Sequence, residues 1–293
     1  MVVSPIRAVN SLVASNSEVL DAWAKAIQGP LGSAVHGGGP VVLALKDLLH
    51  GVWLGHPLHP ALTDVPLGAW TAGVMFDLLG VEDAADASFA VGSLAAVPTV
   101  LAGTADWLEI TDAPRRVGFV HAVLNVAALG LVLLSLRARA SGSRGQGIGL
   151  SLLGYSLAAL SGWLGGELVY VLGSGVSRTA FEPASSDFVP ATDVASLQEG
   201  VLARGRIEVD GQTVTLALLK RGSEVLAISG TCSHAGGPLP EGKLVDNDCV
   251  ECPWHHSRFS LRDGRVRRGP ATVPQPAYET RVRDGKVEVR RIA

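Results

Sequence analysis

Two hydrophobic patterns divide this chain of 293 residues. Up to about residue 172, apolar residues form long stretches with few charges, as expected of membrane-spanning or deeply buried helices. Beyond about residue 200, apolar and polar residues alternate with a period of two, which is typical of short β-strands with one buried face. The pattern therefore predicts a helical domain followed by an all-β domain.

Four apolar stretches in the first part approach or reach the ~20 residues that cross a bilayer core. They are residues 61–79, 87–108, 117–136 and 148–172. Buried helices of a soluble bundle are the alternative, but the third stretch contains no charged residue and the connections between stretches carry the charges. We therefore predict a transmembrane four-helix bundle over residues 55–176.

An amphipathic N-terminal segment is predicted over residues 1–54. Its apolar residues recur at helical spacing, as expected of helices that lie on a membrane surface or pack on the bundle; they include Val9, Leu12, Val13, Leu20, Trp23 and Ile27. An even number of spans puts both chain ends on one side, and the Lys/Arg balance and the lack of a signal-peptide pattern favour the cytoplasm. We expect a multi-pass cell-membrane protein with a cytoplasmic β domain.

Polar residues of the four predicted spans converge at one depth. His59 and Asp64 lie near the start of the first, His121 near the start of the third, and Glu167 near the end of the fourth. Intramembrane polar groups are costly and mark candidate sites. This group could bind a metal, a haem between His59 and His121, or a quinone; simple hydration and hydrogen bonds between helices are the alternative.

The β domain is predicted over residues 200–293, after a linker at 177–199 that is rich in Ser, Ala, Gly and Pro. Asp-Gly pairs at 210–211, 263–264 and 284–285 predict hairpin turns. Two further loops carry metal-binding residue types: Cys232-x-His234 and, after seventeen residues, Cys252-x-x-His255. Two thiolates and two imidazoles on paired loops can hold a binuclear iron centre or, alternatively, a tetrahedral zinc ion.

These two loops resemble those of Rieske [2Fe–2S] proteins, and the resemblance covers about residues 200–291. It implies one cluster per chain. By the same resemblance, Cys232 and Cys252 bind the inner iron, and His234 and His255 bind the outer, solvent-facing iron.

Departures from the Rieske pattern indicate the subtype. The extra cysteines of quinol-oxidising complexes, which form a disulfide there, are replaced by Gly237 and Trp254. Ser257 matches a serine that hydrogen-bonds the cluster in those complexes, but Phe259 replaces the neighbouring tyrosine. The resemblance is thus to ferredoxins of the oxygenase type, with a potential in the lower part of the roughly −150 to +300 mV Rieske range. Cys249 is expected to be a spare thiol.

The helical part also resembles a known family. The segments HPLHPALTDVPLGAW and GWLGGELVY resemble an uncharacterised bacterial family of four-helix membrane proteins that is sometimes fused to Rieske domains. This resemblance implies no activity.

The composition of the chain limits the classes of function that it can have. Only 17% of residues are charged and the net charge is −3, so a basic nucleic-acid interface is excluded. We do not expect a complete Rieske oxygenase, because His256 is the only histidine after His255 in this sequence and a mononuclear iron site needs two. We expect a membrane-anchored carrier of single electrons, acting with lipid and an unidentified reductase, oxygenase or oxidase. The alternative is a quinone- or haem-linked oxidoreductase whose second redox site lies in the bundle.

Overall fold

A computed structural model describes residue 11 and residues 13–292. The chain forms two compact units. The helical unit comprises the described residues up to Leu45 together with Leu58–Ser174, and the β unit comprises Lys46–Pro57 together with the described residues from Gly175 onwards. The expected order, a helical part followed by an all-β domain, is confirmed.

The α-helices with described bounds are α1 (Ser17–His36), α2 (Pro40–His50), α3 (Leu58–Leu78), α4 (Glu82–Trp107), α5 (Asp112–Ala140) and α6 (Arg144–Gly166), the last continuing as the π-helical turn Glu167–Val171. Of the apolar positions predicted for the N-terminal helix, Val9 and Leu12 lie outside the described residues. The side-chain amide of Gln28 on α1 donates to the carbonyl oxygens of Trp107 (2.8 Å) and Ile110 (2.9 Å), which attaches α1 to the end of α4.

Helices α3 and α4 pack as one antiparallel hairpin, and α5 and α6 as another. Glycines mark the closest approaches: a Cβ at Gly92 of α4 would lie 3.1 Å from the carbonyl oxygen of Pro66, and one at Gly154 of α6 would lie 2.9 Å from that of Ala128. Small residues of this kind let helix backbones approach closely, as in membrane helix pairs.

Three of the described helices are long and apolar enough to cross a membrane: Glu82–Trp107, Asp112–Ala140 and Arg144–Val171. Helix α3, predicted as the first span, is not among them, because prolines and the charged residues Asp64 and Asp77 interrupt its apolar sequence. All four helices nevertheless present large exposed apolar side chains, including Leu78, Leu94, Val126, Leu134 and Leu153.

An ion network, buried at Arg139 and Asp77, joins these four helices at one end of the unit. The Arg139 guanidinium, with its side chain 1% exposed, contacts Asp77 at 2.5 Å and Asp86 at 2.9 Å. Arg144 also contacts both carboxylates, at 3.1 and 3.2 Å. The buried charges therefore occur with partners of opposite sign, which offsets their desolvation.

The β unit contains two antiparallel sheets. Their strands are β1 (Val189–Asp193), β2 (Leu202–Val209), β3 (Gln212–Arg221), β4 (Glu224–Ser229), β5 (Lys243–Val245), β6 (Cys249–Glu251), β7 (Arg258–Ser260), β8 (Val266–Arg268), β9 (Ala277–Arg283) and β10 (Lys286–Arg291). The larger sheet has the order β1-β10-β9-β4-β3-β2 and the smaller β5-β6-β7-β8. The predicted turns join β2 to β3, β7 to β8 and β9 to β10. Strand β1 lies inside the range predicted as a linker, where it pairs with β10.

One apolar core joins the two sheets. Leu226 and Ile228 of β4 pack in the same buried cluster as Val250 of β6 and Phe259 of β7. This core fixes the loop that follows β4 and the loop between β6 and β7 beside each other. These are the loops that carry the predicted metal ligands.

Candidate metal centre

Each ligand loop closes tightly on its own cysteine. In the first loop, the backbone N–H of Cys232 donates to the Gly237 carbonyl at 2.8 Å. In the second, the N–H of Cys252 donates to the Ser257 carbonyl, also at 2.8 Å. The two loops thus hold the two cysteines in matching backbone environments.

The two cysteine thiols meet inside the protein. Each residue is 1% exposed. A hydrogen bond between the thiols raises the pKa of Cys232 and lowers that of Cys252. The two thiols are thus close enough to share one proton, and the thiolate is the form that binds metals.

The two histidines lie together at the half-buried rim. The ring centres of His234 and His255 are 5.0 Å apart and their planes are 86° apart. Two imidazoles on one tetrahedral metal place their ring centres about 5 Å apart, because each metal–nitrogen bond is about 2 Å long. The pair therefore fits a single iron, and the cysteine pair supplies the ligands that a second iron needs.

Gly237 and Trp254 lie against each other beside these ligands. A Cβ at Gly237 would lie 2.7 Å from the sulfur of Cys252 and 3.2 Å from the Trp254 ring. The two positions that carry a disulfide in quinol-oxidising complexes are thus adjacent here but hold residues that cannot form one. Trp254 itself is 54% exposed and forms part of the rim next to His255.

A third loop supports the second ligand loop. The buried hydroxyl of Ser257 accepts a hydrogen bond from the backbone N–H of Ala271 at 2.9 Å. Two residues before Ala271, the backbone N–H of Gly269 donates to the carboxylate of Asp47 at 2.8 Å. The segment Lys46–Pro57 is therefore part of the β unit, which local sequence patterns did not indicate.

Neither Cys249 nor His256 joins the four predicted ligands. Cys249 lies on β6, where burial raises the pKa of its thiol. The side chain of His256 is 65% exposed and contacts Glu251 at 3.2 Å. Within the described residues, no three His, Cys, Asp or Glu side chains converge on a single metal-ion position; a Rieske cluster has two protein ligands on each iron.

The candidate residues of the helical unit are brought together only in part. The rings of His59 and His121 lie 6.1 Å apart at an interplanar angle of 87°. Asp64 is exposed on α3, whereas Glu167 is buried at the start of the π-helical turn. Asn125 joins the pair, since its amide lies 3.1 Å from Nε2 of His121.

Both histidines are anchored by backbone groups that residue types alone do not reveal. Nδ1 of His59 bonds to the Thr99 carbonyl at 2.9 Å, and Nδ1 of His121 bonds to the Ser161 carbonyl at 2.8 Å. The two partners are each 40 residues further along the chain. Because every residue supplies a carbonyl group, no signal in the sequence marks these two partners.

Comparison with known proteins matches both parts of the chain. Residues 55–178 match the family described as predicted membrane protein (DUF2231), and residues 187–279 match the Rieske [2Fe–2S] domain. The 3-phenylpropionate/cinnamic acid dioxygenase ferredoxin subunit of Photorhabdus laumondii is 39% identical over 26% of this chain and 73% of its own length. The corresponding subunit of Escherichia coli is 37% identical over 33% of this chain and 87% of its own.

Among solved structures, the ferredoxin of carbazole 1,9a-dioxygenase from Nocardioides aromaticivorans is 32% identical, over 36% of this chain and 98% of its own, with a TM-score of 0.32. The family match and the ferredoxin relatives identify the cofactor of the β unit as a [2Fe–2S] cluster. The chain belongs to the Rieske [2Fe–2S] family, with a predicted membrane-protein domain preceding its Rieske domain.

Proposed function

We propose that this protein is a membrane-anchored carrier of single electrons, in which Cys232, His234, Cys252 and His255 hold the cluster. The observation that carries the proposal is the division of these ligands into a buried thiol pair and a half-buried imidazole pair with ring centres 5.0 Å apart. When bound, the cluster supplies one-electron oxidation and reduction.

The cysteine pair and the histidine pair lie in different surroundings, which gives them different roles. The cysteines lie at the apolar core between the sheets, where they exclude water from the inner end of the site. The histidines lie at the rim, where a partner protein can approach them. The exposed Trp254 beside His255 gives that rim an apolar contact surface of the kind enriched at protein interfaces.

The partners proposed are a reductase that supplies electrons and an oxygenase or oxidase that accepts them. The support is similarity: the relatives described above are ferredoxin subunits of dioxygenases. A carrier with this role is a component of an oxidoreductase system and needs no substrate pocket of its own.

The helical unit serves, in this proposal, as a four-span anchor in the cell membrane. Lys46–Pro57 and the chain from Gly175 form one compact unit, so both lie on the same side of the membrane. The residues between them must then cross an even number of times. Because α4, α5 and the helix from Arg144 are candidate spans, α3 is the fourth, and it lies alongside α4 from His59 to Gly73. The cytoplasm is the side proposed for the Rieske domain.

Low-temperature EPR of the dithionite-reduced full chain in detergent tests the cluster and its ligands. We expect a rhombic signal with a low average g value, and its loss in Cys252→Ser and His255→Ala. Cys249→Ser and His256→Ala are matched controls from the same region and should keep the signal.

The outcomes of these measurements distinguish a [2Fe–2S] cluster from a structural zinc site. Stoichiometric zinc with no EPR signal would show a structural zinc site instead. Loss of the signal in Cys249→Ser but not in Cys252→Ser would show that the cysteine ligands are assigned wrongly. For the orientation, the test is whether protease added to sealed right-side-out cells leaves the Rieske domain intact; digestion would overturn the cytoplasmic location.

A further inference from the structure

The two helical hairpins of the helical unit correspond to one another at an interval of 62 residues. Identical residues at this interval include His59/His121, Gly68/Gly130, Gly80/Gly142, Gly92/Gly154, Ala96/Ala158 and Gly103/Gly165. Thr99 and Ser161, which are chemically alike, are separated by the same interval. Hairpin α3–α4 therefore corresponds to hairpin α5–α6.

Corresponding residues of the two hairpins also make the same contacts. Each histidine bonds through Nδ1 to a backbone carbonyl of the second helix in its own hairpin, 40 residues later. A Cβ at Gly103 would lie 2.7 Å from the His59 ring, and one at Gly165 would lie 3.5 Å from the His121 ring. Parallel repeats of this kind are related by an axis along the membrane normal.

Corresponding residues meet where the hairpins face each other. Asp77 pairs with Arg139 at 2.5 Å, and these positions are 62 residues apart. Toward the other end of the same helices, the corresponding residues His59 and His121 lie with their ring centres 6.1 Å apart. The histidine pair therefore lies on the pseudo-two-fold axis of the unit, with one imidazole from each hairpin.

The hydrogen bonds fix which nitrogen of each ring can bind a metal. Because a carbonyl oxygen only accepts, Nδ1 carries the proton in both rings and Nε2 keeps its lone pair. A metal-binding histidine usually donates the N–H of its other ring nitrogen to a carboxylate, a backbone carbonyl or a water molecule. The side-chain amide of Asn125, which donates to Nε2 of His121, is the group that a metal would displace.

The separation of the rings distinguishes this pair from the pair in the β unit. Two imidazoles bound on opposite sides of one metal place their ring centres about 6 Å apart, against about 5 Å for a tetrahedral ion, given metal–nitrogen bonds of about 2 Å. The 6.1 Å separation fits the opposite arrangement, which is that of axial ligands to a porphyrin iron. We propose that His59 and His121 bind one haem iron on the pseudo-two-fold axis of the helical unit.

Absorption spectroscopy of the full chain, purified in detergent from haem-sufficient cells, tests this proposal. We expect a Soret band, the visible bands of a low-spin bis-imidazole haem, and about one haem per chain by the pyridine haemochrome assay. His59→Ala and His121→Ala should each lose most of the bound haem. The matched control is His56→Ala, since His56 is exposed three residues before His59.

Failure of this proposal is distinguishable from failure of the cluster assignment, because the EPR signal of the Rieske cluster is read in the same samples. An intact cluster signal with no Soret band would overturn the haem site. Haem that survives both substitutions would also overturn it. Copper or another free metal ion lost in both variants, with no Soret band, would show a bis-histidine ion site instead. A variant that loses haem but elutes as a monodisperse peak with its cluster signal retained has kept its fold.

Discussion

Replacement of Ser257 by alanine should lower the reduction potential of the cluster. The hydroxyl of Ser257 is fully buried in the second ligand loop and accepts from the N–H of Ala271 at 2.9 Å. Within the part of the chain that the structure describes, no protein acceptor takes the proton of this hydroxyl. We therefore expect it to donate to a cluster sulfide, where it stabilises the more negative, reduced state.

The size of the effect follows from the strength of such a bond. A hydrogen bond to a charged group contributes about 1.5–3 kcal/mol. For a one-electron step this corresponds to a decrease of about 65–130 mV in potential. The substitution also leaves the buried N–H of Ala271 without its acceptor, which costs about 1–3 kcal/mol of folding stability.

Ser233→Ala is the matched control. Ser233 is 3% exposed and lies in the first ligand loop, but its hydroxyl donates to the Val273 carbonyl at 2.8 Å. Its hydroxyl proton is therefore already bonded to a protein acceptor. We expect the Ser233→Ala control to lose folding stability without a comparable change in the reduction potential of the cluster. An EPR-monitored redox titration and a thermal melt of each full-length variant provide both values. Equal potential shifts in the two variants, or no shift in Ser257→Ala with full cluster content, would refute the reasoning.

Three further predictions follow from buried groups. Phe259→Tyr should raise the potential in the same titration, because Phe259 is fully buried beside the second ligand loop and a new hydroxyl there can donate to the cluster; an unchanged potential counts against this. Arg139→Met should destabilise the helical unit in detergent melts by up to about 3–5 kcal/mol, because it removes a buried partner of Asp77. Burial raises the pKa of Glu182, although the Ser229 hydroxyl bonds to its carboxylate. Stability should therefore fall as the pH rises from about 4.5 through the raised pKa, and Glu182→Gln should remove that fall.

The sequence predicted best the features that depend on residue type and spacing. The two ligand loops and the hairpin turns were recognisable because thiols, imidazoles and Asp-Gly pairs occur at diagnostic intervals. Helix α3 was predicted from its apolar residues, yet it is not a candidate span by composition, since Asp64 and Asp77 interrupt it. Its proposed place in the anchor rests on the even number of crossings and on its contacts with α4.

Other features could not be predicted because no local pattern encodes them. The carbonyl groups of Thr99 and Ser161 anchor the histidines through the backbone, which every residue type supplies. The contact between Asp47 and Gly269 joins residues 222 positions apart, and the carboxylate was indistinguishable in sequence from any other helix-surface acid. Such contacts are properties of the folded chain.

The bond between Asp47 and Gly269 also has a consequence for biosynthesis. Asp47 leaves the ribosome 222 residues before its partner, which at ~5–20 residues per second is an interval of about 10–45 s. The apolar helices are synthesised during that interval, so in the proposed anchor they insert before the Rieske domain is complete. In the proposed membrane-anchored arrangement, loading of iron and sulfide is then a late event that follows insertion of the helices.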